Sequence, residues 1–261
     1  MCGFTFFFTD IDTLDVCDRA MLGEFIQSNE INLIINCAAY TAVDKAEEEP
    51  GICASINYDA VRLIGDLAKK MEVRVIHIST DYVFDGYATR PYRETDATYP
   101  VSVYGKTKLA GEQALTSICK ESIILRTSWL YSETGTNFVK TMLRLGAERP
   151  SLNIVADQHG TPTYAGDLAD VIKAILIADS FVPGIYHYSN RGACTWYDFA
   201  VQIFELSGDA CLVNPITTAA YPTRAARPAY SVLDKTKIIN TFSIQIPSWQ
   251  DSLSKFLRML A

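Results

Sequence analysis

The sequence predicts an α/β fold with a doubly wound parallel sheet and a smaller C-terminal lobe. Short apolar runs alternate with helical patterns along the first half of the chain, as expected of parallel strands joined by crossover helices. The 261 residues suffice for one large α/β domain, or for one domain with a small lobe. Hydrophobic residues make up 49% and charged residues 20%, so the chain has ample material for a core. The expected architecture is therefore Rossmann-like.

The first half contains four short apolar runs and three helical patterns. Pro50 fits the first turn of the second helix, where a missing N–H costs nothing, and the spacing of apolar residues defines all three helices. The predicted strands are Phe4–Phe8, Leu33–Asn36, Val73–Ser79 and Ser122–Arg126. The predicted helices are 19–28, 50–71 and 102–117. A loop over 80–101, rich in Tyr, Pro, Asp and Gly, connects the third predicted strand to the helix 102–117. A loop of this length in a compact domain is usually functional.

The second half alternates less cleanly and predicts a lobe interleaved with the first domain. Its helical patterns cover 136–147, 165–178, 195–206 and 248–260, and its irregular polar segments are 157–163 and 219–230. We therefore expect a Rossmann-like cofactor-binding domain over 1–150 and a substrate-binding lobe over 151–261.

Composition excludes several classes of protein. The net charge of −7 argues against a general nucleic-acid binder. No apolar stretch is long enough for a transmembrane helix, and the N-terminus lacks the basic residues of a signal peptide. Seven cysteines without CxxC spacing and three scattered histidines suggest neither a disulfide framework nor a metal site. We expect reduced thiols in a cytoplasmic protein without membrane or nucleic-acid partners.

Tyr104 and Lys108 form the first candidate for chemistry. They stand four residues apart at the start of a predicted helix, which puts both on one face. An ammonium near a phenol stabilises the phenolate, so the pair could transfer a proton near neutral pH. Chance alone gives about 0.6 such pairs in a chain of this composition, so the spacing carries little weight without context.

That context comes from the ends of the predicted strands. Ligands of open parallel sheets bind beyond the carboxyl ends of the strands. Thr80 and Asp81 end the most apolar strand, and a hydroxyl there can bind a substrate carbonyl. The small residues 37–39 follow the preceding strand and leave room for a flat cofactor, while Asp10 could bind an adenosine ribose. Each of these features taken singly is more often a plain polar or packing residue than a functional one.

Taken together, six segments resemble the dTDP-4-dehydrorhamnose reductase family of extended short-chain dehydrogenases. They are NCAAYTAVDKAE (36–47), STDYVFDG (79–86), YGKTKLAGE (104–112), RTSWLY (126–131), NFVKTMLRL (137–145) and DQHGTPT (157–163). AYPTRAARPAYSVLD (220–234) belongs to the same pattern. Several of these strings are long and specific, so the resemblance covers the chain from about Phe8 to the last helix.

The resemblance implies an oxidoreductase that uses NADPH or NADH to reduce the 4-keto group of dTDP-4-dehydro-L-rhamnose. Tyr104 would donate the proton, Lys108 would hold the nicotinamide ribose and tune Tyr104, and Thr80 would bind the reacting oxygen. The implied cofactor-binding residues are Asp10, Asp15, Val16, Ala39, Tyr40, Thr41, Ile78, Tyr104 and Lys108. The implied substrate-binding residues are Thr80, Asp81, Tyr82, Trp129 and Arg227. The family also implies Mg²⁺ and a homodimer.

The N-terminus departs from the family pattern. The family begins with a strand and a glycine-rich loop that binds the cofactor pyrophosphate at a helix N-terminus. Here Gly3 and Gly23 are the only glycines before Gly51. The sequence leaves open whether the chain given is truncated or misannotated, or whether the cofactor binds abnormally or not at all. Without such a loop, we expect weak cofactor binding.

Two other functions belong to relatives with the same fold. A sugar-nucleotide dehydratase would place an acidic pair after Thr80, but Asp81 is followed by Tyr82, which disfavours elimination. A non-catalytic relative, such as the regulatory subunit of methionine adenosyltransferase, shares the fold and binds a partner enzyme. The N-terminal departure gives that second alternative some weight.

Overall fold

The computed structural model describes residues 3–260. The helices are α1 (Arg19–Ser28), α2 (Val43–Ala46), α3 (Pro50–Ala54), α4 (Ala60–Met71), α5 (Val103–Ile118), α6 (Phe138–Glu148), α7 (Ala165–Ile177), α8 (Trp196–Ser207), α9 (Thr236–Phe242) and α10 (Trp249–Leu260). The strands are β1 (Leu33–Asn36), β2 (Arg74–Thr80), β3 (Ser122–Thr127), β4 (Leu130–Tyr131), β5 (Ser151–Val155), β6 (His159–Gly160), β7 (Thr163–Tyr164), β8 (Gly184–His187), β9 (Cys194–Thr195) and β10 (Leu212–Ile216).

Four parallel strands form the main sheet, in the order β1-β2-β3-β8. All six residues of β3 are buried, as expected of a strand covered on both faces. Successive residues of β2 point to opposite faces, so Val75 packs against α1, α4 and α5 while Ile76 packs against α7 and α9. Helices therefore cover both faces, and the predicted α/β fold with a parallel sheet is confirmed.

A second apolar core lies between α6, α8 and α10. Phe199 and Phe256 are fully buried in it, and Tyr131 packs edge-on against Phe256. Strands β5 and β10 form a parallel pair beside this core. Strand β8 belongs to the second half of the chain, like β5 and β10, but it pairs with β3 and completes the main sheet. The two halves of the chain are therefore interleaved in space. The boundary at residue 150 stays a prediction.

The predicted strand Phe4–Phe8 is wrong. These residues have no regular structure, and Phe8 is 91% exposed. An apolar run predicts burial, but a strand also needs a neighbour for its backbone N–H and C=O groups. In this structure β1 pairs directly with β2, and residues 4–8 pair with no described strand.

The predicted helix 50–71 is present with one irregularity. Residues Ser55–Asp59 form a π-helical turn between α3 and α4. Such turns are frequent at functional sites, and this one carries the buried side chain of Asn57. Within residues 3–260 we find no helix whose length and apolar content would let it cross a bilayer.

Candidate active site

The first turn of α5 lies against the segment that follows β2. The Ser102 hydroxyl accepts a hydrogen bond from the Gly105 N–H at 3.1 Å and caps the helix. A Cβ on Gly105 would collide with the backbone oxygen of Tyr82, so only glycine permits this approach. The rings of Tyr82 and Tyr104 then meet edge to face, with their centroids 5.6 Å apart. The helix start thereby places Tyr104 beside the carboxyl end of β2.

Thr80 faces Tyr104 from the end of β2. Burial raises the pKa of Tyr104 to about 12, and the Thr80 hydroxyl acts in the opposite direction. The Thr80 hydroxyl also donates to Asp81 Oδ1 at 3.1 Å and accepts from the Tyr82 N–H at 3.2 Å. Thr80 and Tyr104, two of the three proposed catalytic residues, are thus brought together.

Lys108 completes the group from the next turn of α5. Its side chain is 2% exposed, and its Nζ donates to the carbonyl oxygen of Ile78 at 2.7 Å. Burial lowers the pKa of Lys108 to about 8. The sequence argument that this lysine lowers the pKa of Tyr104 is wrong for this structure, because desolvation of the phenol dominates and the amine is bound to β2.

Asp81 is buried directly after Thr80. Its side chain is 2% exposed, and its Oδ2 has no hydrogen-bond partner among the described residues. Burial raises the pKa of Asp81 to about 6, although hydroxyls of Ser231 and Thr80 oppose the shift. A buried carboxylate oxygen without a partner is costly to a fold unless another group binds it.

We expect Asp81→Asn to remove a pH dependence from the free energy of unfolding. The pKa of Asp81 is about 6 in the folded protein and 3.8 without the fold. The folded state holds the proton more tightly, so the contribution of Asp81 is fully present below about pH 4 and is lost as pH rises through about 6. This shift corresponds to about 3 kcal/mol. The free energy of unfolding of wild type and of Asp81→Asn is measured by urea denaturation between about pH 4 and 6 and again at neutral pH.

Asp96→Asn is the control for this prediction. Arg90 lowers the pKa of Asp96 to about 2, so its stabilisation is lost only as pH falls through that value. The difference between wild type and Asp96→Asn should therefore stay nearly constant from pH 5 to 8. A constant difference for Asp81→Asn over the same range would contradict the Asp81 assignment.

The segment that follows β1 is held by the π-helical turn. Asn57 is fully buried, and its Oδ1 accepts from the Tyr40 N–H at 2.9 Å while its Nδ2 donates to the Tyr40 carbonyl oxygen at 3.1 Å. The Tyr40 hydroxyl donates to Glu49 at 2.8 Å. These contacts fix the backbone of Ala39–Thr41 at the carboxyl end of β1, where a cofactor of this fold class binds.

Asp10, Asp15 and Val16 lie in a turn before α1. Asp10 is exposed, and its carboxylate accepts from the Asp12 N–H and the Thr13 hydroxyl. Asp15 accepts from the Cys17 N–H at 2.8 Å, and Val16 is half-buried. No described hydrogen bond joins them to the Ala39–Thr41 segment. The expectation that Asp10 ends a strand is wrong, because residues 4–8 form none.

Arg227 connects the irregular segment 219–230 to α2. Its guanidinium binds Asp44 through two hydrogen bonds of 2.6 and 3.1 Å. This pairing lowers the pKa of Asp44. Sequence reasoning identified Arg227 but missed Asp44, although the residue belongs to the segment 36–47 that carries the resemblance.

Trp129 follows β3 with a positive φ of 47°. Its indole stacks on that of Trp196, with ring centroids 3.5 Å apart and an interplanar angle of 11°. A Cβ on Gly160 would collide with the Trp129 ring, so β6 packs closely on it. Trp129 is half-buried at the edge of the second core, so one part of the ring packs and another part faces solvent.

A metal site has no support in this structure. Within residues 3–260, no group of three or more His, Cys, Asp and Glu side chains is placed to hold a metal ion. The Mg²⁺ expectation stays a prediction.

Comparison with known proteins agrees with this geometry. A family model described as the RmlD substrate binding domain matches residues 3–261. The chain is 46% identical to the dTDP-4-dehydrorhamnose reductase of Aggregatibacter actinomycetemcomitans over 94% of this chain and 86% of the relative. It is 43% identical to the Escherichia coli enzyme of the same name over 96% of this chain and 88% of the relative. The crystal structure of the Bacillus anthracis reductase in complex with NADP superposes with a TM-score of 0.93 at 37% identity, covering 96% of this chain and 89% of that one.

Proposed function

Because this chain belongs to the family described as the RmlD substrate binding domain, we propose that it reduces dTDP-4-dehydro-L-rhamnose to dTDP-L-rhamnose with NADPH or NADH. The observation that carries the proposal is the meeting of Thr80, Tyr104 and Lys108 at the carboxyl end of β2. A hydroxyl, a phenol and an amine at one strand end suit the reduction of a ketone to an alcohol.

The residues present fit a nicotinamide cofactor. Ala38 and Ala39 follow β1 and leave the backbone accessible to a flat ligand. The Lys108 amine lies behind Tyr104 at the same sheet edge, where it can hold the ribose hydroxyls. When bound, NAD(P)H supplies the hydride. A solved relative contains NADP, which supports NADPH as a cofactor.

The proton comes from the protein in this account. With a pKa of about 12, the Tyr104 phenol is protonated at neutral pH, the state that a proton donor requires. The Thr80 hydroxyl faces the phenol and orients the substrate oxygen between the two groups. Tyr104 would give its proton to the carbonyl oxygen at C4 of the sugar, where bound NAD(P)H would supply the hydride, so that the ketone becomes an alcohol. Solvent then restores the phenol.

The substrate side of the site is formed by Asp81, Tyr82, Trp129 and Arg227. The Oδ2 of Asp81 has no partner among the described residues, and it would accept a hydrogen bond from a sugar hydroxyl once the side chain turns toward the substrate. The guanidinium of Arg227 lies near enough to the Tyr82 hydroxyl for the two groups to interact electrostatically, and its positive charge suits a diphosphate. These roles follow from chemistry and family resemblance.

The relatives favour the reductase over the regulatory-subunit alternative. Three curated relatives that are 41–46% identical to this chain carry the name dTDP-4-dehydrorhamnose reductase, and the proposed catalytic residues are present here. Homodimerisation and a cytoplasmic location stay predictions.

The experiment is an assay of NADPH consumption by the purified protein. We expect absorbance of NADPH to fall when dTDP-4-dehydro-L-rhamnose is added and to stay constant without it. NADPH that stays unconsumed at high protein concentration would contradict the proposal. NADH in place of NADPH measures the cofactor preference.

Trp129→Ala tests the substrate side. We expect a raised KM for the keto-sugar nucleotide and a nearly unchanged KM for NADPH. An indole can pack on the apolar face of a deoxysugar, and losing such a contact costs roughly 1–3 kcal/mol by analogy with base stacking. Two saturation curves, one for each substrate, give the answer. Trp129→Phe is the matched control, because it keeps an aromatic ring at this position beside Trp196 and should lose less substrate affinity than Trp129→Ala. A defect that appears only in the NADPH curve would show that Trp129 serves the cofactor and would contradict its assignment to the substrate.

A further inference from the structure

Lys108 has a polar partner in the sheet that the proposed reaction does not use. Its Nζ lies 3.3 Å from Nε2 of His77, in addition to its bond with the Ile78 carbonyl oxygen. Both side chains are buried, with 2% of Lys108 and 0% of His77 exposed. Because buried polar groups must find their hydrogen bonds inside the protein, these contacts determine where the amine lies.

Asn36 contacts the other imidazole nitrogen of His77. Its Nδ2 lies 3.1 Å from His77 Nδ1, and its Oδ1 accepts from the Ala38 N–H at 3.1 Å. An N–H donates and only the amide oxygen can accept it, so the Ala38 bond turns the NH₂ group of Asn36 toward His77. Nδ1 of His77 is therefore an acceptor.

The proton of His77 is then on Nε2. Burial lowers the pKa of His77 well below 6.5, so the imidazole is neutral. A neutral imidazole that accepts at Nδ1 carries its hydrogen on Nε2, which points at Lys108 Nζ. An amine can accept that hydrogen, whereas an ammonium would set one N–H against another.

The other groups around Lys108 act in the opposite direction. Burial lowers its pKa to about 8, whereas Glu112, Cys37 and Cys53 raise it. His77 is the neighbour whose hydrogen-bonding geometry favours the amine. The contact therefore adds to the effect of burial.

We propose that His77, oriented by Asn36, is a positioning residue that holds the Nζ of Lys108 and biases it toward the amine form. The inference rests on the proposed function, in which Lys108 holds the cofactor ribose. Since Asn36 ends β1 and bonds the backbone of Ala38, the same contacts connect the cofactor segment to the amine.

The direct test is the tautomer of His77, read from long-range ¹H–¹⁵N spectra of protein labelled with ¹⁵N-histidine. We expect the proton of His77 on Nε2. His187 is the internal control, because its Nδ1 lies 3.1 Å from the Tyr92 carbonyl oxygen and must carry the hydrogen. The spectra of His77→Gln and His187→Gln assign the signals. A His77 proton on Nδ1 overturns the inference.

The second readout is the pH profile of kcat. In His77→Gln the amide oxygen can accept from an ammonium, so the midpoint that belongs to Lys108 should move upward by about one pH unit. KM for the sugar nucleotide should stay unchanged, and His187→Gln should leave the midpoint in place. An unshifted midpoint in a folded His77→Gln variant contradicts the inference. If the protein reduces no keto-sugar nucleotide, the proposed function fails, and the His77 tautomer still decides this inference.

Discussion

Replacing Tyr104 with phenylalanine should lower kcat by about 10²–10⁴, which is the usual contribution of a positioned acid. The substitution removes one hydroxyl and keeps the ring that packs against Tyr82. Substrate binding should therefore stay largely intact, and the loss should lie in kcat rather than in KM. The mechanism requires this split, because the phenol acts on the oxygen only as hydride arrives.

The measurement is a pair of saturation curves for Tyr104→Phe and wild type, supported by thermal unfolding to show that the fold is kept. Tyr99→Phe is the matched control, since Tyr99 lies in the loop just before α5 and is 66% exposed. It should leave turnover unchanged. An unaltered kcat in Tyr104→Phe would end the role of Tyr104 as donor.

Replacing Glu112 with glutamine should destabilise the protein by about 3–5 kcal/mol, the usual effect of breaking a buried ion pair. Arg126 and Glu112 are 3% and 2% exposed, and Arg126 NH2 donates to Glu112 Oε2 at 2.7 Å. The Ser79 hydroxyl donates to the same carboxylate, while His187 lies beside the guanidinium. Without the Glu112 charge, the guanidinium of Arg126 stays buried and uncompensated.

Urea denaturation at pH 7 measures this effect. Glu148→Gln is the control, because its i,i+4 pair with Arg144 is exposed and should change stability by less than about 0.5 kcal/mol. If Glu112→Gln and Glu148→Gln lose the same small amount of stability, the buried pair does not anchor α5 to β3.

Periodicity in the sequence predicted the main elements of the sheet well. The runs at Leu33, Arg74 and Ser122 are strands, and the pattern over 102–117 became α5 within one residue at each end. These elements are buried on defined faces, so their apolar spacing carries the information. By contrast, the sequence did not predict β8 and β5. Strand β8 contains Gly184 and the polar groups of Tyr186 and His187, and in β5 the polar residue Asn153 is exposed.

The site could be predicted only as far as its residues belong to recognisable strings. Thr80, Tyr104 and Lys108 were found by strand-end position and spacing, and the structure places them together. His77 and Asn57 were missed, because each lies inside an apolar pattern where a polar residue gives no sign of its partner. Their contacts with Lys108 and Tyr40 join residues 31 and 17 positions apart, which only the fold reveals.

The protonation states of Tyr104 and Lys108 could not be predicted from the sequence. Spacing alone suggested a phenol with a lowered pKa, whereas burial raises the pKa of Tyr104 and lowers that of Lys108. Desolvation depends on all the atoms that bury a group, and a sequence alone does not show which atoms those are. The proposed donor is therefore a phenol that is protonated at neutral pH.

Transfer of a labelled hydride tests the central claim most directly. The protein is incubated with dTDP-4-dehydro-L-rhamnose and NADPH that carries deuterium at the transferred position of the nicotinamide. The account predicts dTDP-L-rhamnose with one deuterium bound to C4 of the sugar, detected by mass spectrometry and NMR. A sugar nucleotide recovered without deuterium at C4, with the labelled cofactor intact, would contradict it.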